Sequence, residues 1–116
     1  MTDNVPSPVA FSTLGLPTFL LESLNTLGYE EATPIQVETI PALLEGHDVV
    51  GIAQTGTGKT AAFALPALAS LDFKKRVPQI LVLCPTRELS MQVADAFRTY
   101  AKSSAGCTVV TLCGGN

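Results

Sequence analysis

AQTGTGKT, residues 53–60, follows directly on the short apolar run VVGIA of residues 49–53. The run reads as a buried strand, Gly56 and Gly58 sit in the loop behind it, and Lys59 and Thr60 open a helical pattern. Strand, glycine loop and helix in this order match the phosphate-loop pattern G-x-x-x-x-G-K-S/T. In that pattern backbone N–H groups curl around the β- and γ-phosphates, the lysine adds a point charge, and the final hydroxyl meets Mg²⁺. Gly58, Lys59 and Thr60 fill the last three positions, and Gln54, Thr55 and Thr57 complete the loop. Ala53 stands where the general pattern has glycine, so the backbone leaving the strand is expected to keep φ negative there. A chance glycine turn between strand and helix is the competing explanation. Agreement of strand, loop, Lys-Thr pair and helix argues against it and implies a nucleoside triphosphate site with ATP and Mg²⁺ among its candidates.

The same alternation continues outward. PTFLLESLNTL predicts a helix over 17–27, with Leu20, Leu24 and Leu27 on one stripe and Gly28 just past its end. A second helix is expected from Pro34, tightened or kinked near Pro41 and ending at Gly46, and a third from about Gly58 to Ser70. QILVLC, residues 79–84, is apolar without a break, which favours a strand covered on both faces. The helix expected over 87–102 places Leu89, Val93, Phe97 and Ala101 on one face, and TVVTLC, residues 108–113, reads as a third strand. The pattern predicts an α/β fold: a parallel sheet with helices on both faces, joined by right-handed crossovers. Residues 1–10 read as a flexible start and 11–116 as a single domain.

Composition limits the functional classes. The 116 residues are 47% hydrophobic and 6% aromatic, with no Trp, which suits a core of Val, Ile, Leu and Ala. A net charge of -3 rules out binding carried by a broad basic field but not local phosphate contacts. The N-terminus lacks the basic and apolar segments of a secretory signal, and AAFALPALASL, residues 61–71, is too short to span a bilayer. Cys84, Cys107 and Cys113 fall at no metal-ligand spacing and read as reduced thiols, which points to the cytoplasm and away from membranes. His47 has no second ligand nearby in the sequence, and the KKR of residues 74–76 reads as a solvated loop.

TPIQ, residues 33–36, has two readings. As helix grammar it is a capping box: Thr33 is the N-cap, Pro34 the first helical residue, and Gln36 reaches back to the cap backbone. Gln36 could equally be reserved for a ligand. PTRELS, residues 85–90, is similarly open. Thr86 can cap the helix that follows with Arg87 merely solvated, or the pair can face phosphate at the carboxyl end of a strand.

GYEEATPIQ (28–36), AQTGTGKT (53–60), PTRELS (85–90) and the terminal GG (114–115) together resemble the opening motifs of DEAD-box ATP-dependent RNA helicases, in that family's order. Phe11 falls where the family has an isolated aromatic, and Ala53 matches its common form of the loop. The resemblance runs over residues 11–115 and implies part of a RecA-like phosphate-loop domain. It implies that Gln36 reads adenine, because an amide offers a donor and an acceptor side by side to N7 and the N6 amino group. Tyr29 would pack on the base, with Phe11 behind it and Thr33 beside it; plain core packing remains the alternative for both aromatics. Lys59 and Thr60 would be the catalytic pair at the phosphates, with Thr60 also on Mg²⁺. Pro85, Thr86, Arg87, Gly114 and Gly115 would meet the RNA sugar–phosphate backbone without reading sequence.

Neither ILVLC nor VVTLC ends in an acidic residue that could hold Mg²⁺ and position water, and the Asp-Glu-Ala-Asp stretch is absent. The sequence therefore reads as the first part of the first RecA-like domain, with a second domain missing, and catalysis by this chain alone is not expected. Ribosomal or RNA-decay partners would be met through flanking regions. Two other readings stay open: a non-catalytic adenine-nucleotide or RNA-binding module, and another phosphate-loop enzyme such as a small kinase. A partial parallel sheet would also expose apolar edges and lower solubility.

Overall fold

A computed structural model describes residues 9–49, 58–102 and 107–112. The first described residues pair with the segment that carries the TPIQ motif. β1 (Val9–Ala10) and β2 (Glu31–Ala32) are antiparallel, with Val9 opposite Ala32 and Ala10 opposite Glu31. The Phe11 N–H extends the contact to the Glu30 carbonyl at 3.3 Å, and a single 3₁₀ turn follows at Phe11–Thr13. A residue far from the motif in sequence is thereby fixed beside it.

Helix α1 (Thr18–Leu27) buries Leu20 and Leu24 completely. It closes on Gly28 in the left-handed region, φ +81, with Gly28 N–H donating to Asn25 and Tyr29 N–H to Leu24 at 2.8 Å. This reciprocal pair of bonds is the Schellman closure that a glycine makes possible, and it fixes where Tyr29 leaves the helix. Helix α2 (Pro34–Leu44) runs through Pro41 and ends in a second such closure, with Gly46 N–H to Leu43 and His47 N–H to Ala42. Helix α3 (Lys59–Ala69) is the centre of the packing. Ala61, Ala64, Leu65 and Leu68 are buried on it, and both α2 and α4 (Arg87–Tyr100) pack against it. A helix that is apolar nearly all round has no face to give to water.

Two apolar stripes end sooner than their periodicity suggests. Leu27 and Leu89 are 39% and 37% exposed, whereas Val93, Phe97 and Ala101 are buried. Both lie in a terminal turn, and periodicity names a helix face without saying how far along it the partner reaches.

The expected parallel sheet is not formed among the described residues, where β1–β2 is the only ladder. Residues 79–84 and 107–112 carry no ladder, although their sides still alternate: Ile80, Cys84, Cys107 and Val109 pack on the core. Leu81, Leu83, Val110 and Leu112 face outward at 83%, 85%, 72% and 92% exposure. Most of the first expected strand, residues 50–53, lies outside the described residues. An unbroken apolar run marks a segment fit for burial on both faces. A strand, however, is a relation between two segments about 4.8 Å apart and needs its neighbour in place. Among the described residues only the helical side of these segments is covered, and their outer side is exposed. No helix among the described residues is long and apolar enough to cross a membrane.

Candidate nucleotide site

The N-termini of α2 and α3 meet at Gln36. Its Oε1 accepts from the Thr33 N–H at 2.8 Å, and its Nε2 donates to the Gly58 carbonyl at 3.2 Å. An N–H can only donate and a carbonyl can only accept, so the two partners dictate which way the amide points. The side chain is 4% exposed. The amide therefore closes half of a capping box and fastens α2 to the residue that opens α3. Thr33 Oγ1 faces the third-residue N–H as a capping box requires, yet it is buried and completes no hydrogen bond among the described residues.

Gly58 is the N-cap of α3 with φ +85, a left-handed conformation. A Cβ there would overlap Gln36 Nε2 and stand 3.0 Å from Thr33 Oγ1. Glycine is required twice at this position, for the backbone angle and for the close approach of the amide. Its carbonyl serves both Gln36 and the first α3 bond, from the Ala62 N–H at 3.1 Å. Lys59, exposed, and Thr60, half-buried, are the first two residues of α3, at the positive end of the helix dipole.

A cleft of about 600 Å³ opens over this junction, lined by Phe11, Gly28, Tyr29, Glu30, Glu31, Thr33, Gln36, Gly58, Ala61 and Tyr100. That volume is the size of a small-ligand site. Five residues named from the sequence, Phe11, Tyr29, Thr33, Gln36 and Gly58, share it. Phe11 is 4% exposed and belongs to the core cluster as well as lining the cleft. Tyr29 is 44% exposed at the mouth. Ala53, Gln54, Thr55, Gly56 and Thr57 lie outside the described residues, as do Gly114 and Gly115.

Sequence reasoning missed Tyr100. It is 7% exposed, lies on the buried face of α4 three residues after Phe97, and meets the Tyr29 ring edge-on at 6.4 Å and 61°. Burial, then the neighbouring Tyr29, pushes its phenol up to about 12. The signal was present, because the i+3 step from Phe97 continues the apolar face.

PTRELS is placed apart from the cleft. Thr86 is the N-cap of α4, accepting from the Leu89 N–H at 3.1 Å, and Arg87 is exposed at the first helical position with Pro85 before the cap. Capping occupies an acceptor site of the Thr86 hydroxyl and leaves its proton to donate elsewhere. Among the described residues no cluster of three metal-ligating side chains occurs. His47 sits 3.6 Å from Glu45, both well exposed.

The family model of DEAD/DEAH box helicases matches residues 33–116. The chain belongs to the DEAD/DEAH box helicase family. The ATP-dependent RNA helicase DeaD of Haemophilus influenzae is 53% identical over 115 residues, covering 99% of this chain and 18% of that protein. DeaD of Escherichia coli is 58% identical over 105 residues, covering 90% and 17%. The chain thus spans under a fifth of the length of these relatives. Among solved structures, the RNA helicase Prp28 from Chaetomium thermophilum bound to ADP has a TM-score of 0.81 at 41% identity, over 99% of this chain and 29% of that one. Dbp5 of S. cerevisiae bound to RNA and ADP BeF3 has a TM-score of 0.79 at 32% identity, over 82% and 25%. These likenesses bear out the expected α/β, RecA-like class for a partial DEAD-box domain whose parallel sheet is not paired among the described residues. Membership in the family removes the ground for a small kinase.

Proposed function

We propose that the cleft takes the adenine end of ATP and that the chain forms part of an ATP-dependent RNA helicase. One observation carries the reading: the Gln36 amide ties the TPIQ helix to Gly58, the last glycine of the phosphate loop. Base and phosphate elements thus share a single junction. Gln36 uses one hydrogen of its NH₂ and one lone pair of its oxygen in the fold, which leaves one donor and one acceptor for N7 and the N6 amino group. The buried, unpartnered Thr33 Oγ1 is a further polar group that a base would satisfy. Tyr29 supplies a ring to stack on, and Phe11 lines the same cleft.

Lys59 and Thr60 suit the phosphate end, where the lysine charge and the α3 N-terminus both favour an anion. Ala53 to Thr57 complete the loop in this reading. Mg²⁺, when bound, would neutralise phosphate charge, and the Thr60 hydroxyl would hold it. Pro85, Thr86 and Arg87, with Gly114 and Gly115, are assigned to the RNA backbone, and the intact gene product is assigned the separation of short RNA duplexes in the cytoplasm. In this reading the chain by itself holds nucleotide without turnover, and hydrolysis belongs to the intact gene product.

The test compares nucleotides. The simple substitution Gln36→Glu is not neutral for the fold, because a carboxylate oxygen would then face the Gly58 carbonyl. Base selectivity is therefore the better readout. In the intact gene product Gln36→Ala should weaken ATP at least tenfold while leaving GTP and inorganic tripolyphosphate within about threefold. If all three weaken alike, Gln36 only braces the loop and does not read the base.

A further inference from the structure

The cleft has a second aromatic wall that neither the motifs nor the proposed reading assigns. Tyr29 leaves the Schellman closure of α1 with its backbone N–H held by Leu24 at 2.8 Å, but its ring is 44% exposed. A ring on a turn keeps side-chain freedom that a stacked base must then freeze out, which weakens binding. Tyr100 removes that freedom. It sits on α4, with 7% exposure, and its ring meets Tyr29 at 6.4 Å and 61°, the edge-to-face arrangement that aromatic quadrupoles favour.

Both rings line the same cleft as Gln36 and Gly58. Burial first, then the neighbouring Tyr29, pushes the Tyr100 phenol up to about 12. Tyr100 shares the buried side of α4 with Val93 and Phe97, and Phe97 meets the Phe63 ring of α3 at 6.1 Å. The pair is thus anchored through α4 to the helix that begins the phosphate loop's exit.

We infer that Tyr100 is a positioning residue for the base pocket, holding the Tyr29 ring so that its free face is presented to the nucleobase. This rests on the assignment of the cleft to adenine. Tyr100 acts through Tyr29 and makes no demand on the phosphate end, so its effect is confined to base-dependent affinity.

The experiment uses the intact gene product and measures KM and kcat for ATP, together with equilibrium binding of ATP and of inorganic tripolyphosphate. Tyr100→Leu should raise the ATP KM and Kd about three- to tenfold, the range of an aromatic pair interaction. Its kcat should change less than twofold, and tripolyphosphate binding should not change. Tyr100→Phe keeps the ring edge and should restore most of the affinity. In the Tyr29→Ala background, Tyr100→Leu should have no further effect on ATP. Should Tyr100→Leu not fold, Tyr100→Met fills a similar volume without a ring and carries the same comparison. Equal losses for ATP and tripolyphosphate, or additive losses with Tyr29→Ala, overturn the inference and leave Tyr100 a core residue. If Tyr29→Ala itself leaves ATP affinity untouched, the adenine assignment of the cleft fails first, and the two failures are told apart.

Discussion

Replacing Gly58 by alanine perturbs the junction at its tightest point, and a matched control lies in the same chain. Gly28 and Gly58 have nearly the same backbone, φ +81 and +85, but a Cβ at Gly28 meets nothing within 4 Å. At Gly58 it overlaps Gln36 Nε2, with Thr33 Oγ1 at 3.0 Å and Gln36 Cδ at 3.1 Å. Gly28→Ala should therefore cost only the left-handed strain, about 1–2 kcal/mol. Gly58→Ala adds the displacement of a buried amide from its two partners, roughly another 1–2 kcal/mol for hydrogen bonds lost in a desolvated site. The gap corresponds to about 4–8 °C in unfolding midpoint for a domain of this length. Thermal unfolding without nucleotide reads it directly, because bound ligand would otherwise add its own stabilisation. Gly58→Ala should also be non-additive with Gln36→Ala, since the second change removes the group the methyl displaces. If Gly58→Ala is no worse than Gly28→Ala, the amide does not hold α2 on α3 and the reasoning fails.

Gln36→Glu should lower stability by about 2–4 kcal/mol at neutral pH, since a buried carboxylate would lie against a carbonyl oxygen; thermal unfolding checks this, and a variant as stable as the parent would refute the Gly58 contact. Thr86→Ala removes the α4 cap and should cost about 1 kcal/mol, with Thr86→Ser largely restoring the midpoint. The Tyr100 phenol ionises near 10 when unfolded and about 12 when folded, so in that window the folded state keeps a proton the unfolded state has lost. Its stabilising contribution is full below pH 10 and falls as pH rises toward 12; the decline should be shallower in Tyr100→Phe when unfolding midpoints are compared from pH 9 to 12.

Much of the helical layer was legible because local chemistry encodes it. Thr33-Pro34 starts α2, Thr86 starts α4, and Gly28 and Gly46 end their helices in the left-handed turns that glycine permits. Residues of the proposed phosphate loop could be named because the G-x-x-x-x-G-K-S/T pattern admits few residue types. Leu27 and Leu89 were misplaced because the reach of a partner is not written in the helix that awaits it. The strands fared differently again. Residues 79–84 and 107–112 keep the alternation of strands but, among the described residues, not their pairing.

Sequence by itself determined the helix starts and stops, the order of the phosphate loop and the family's motifs, all properties of neighbours along the chain. Only the tertiary structure decided that Gln36 holds Gly58 across 22 residues, that Phe11 reaches the cleft through β1–β2, and that Tyr100 backs Tyr29. Each of these joins residues that no local signal connects, because hydrogen bonds and ring contacts depend on where helices pack and not on where they begin.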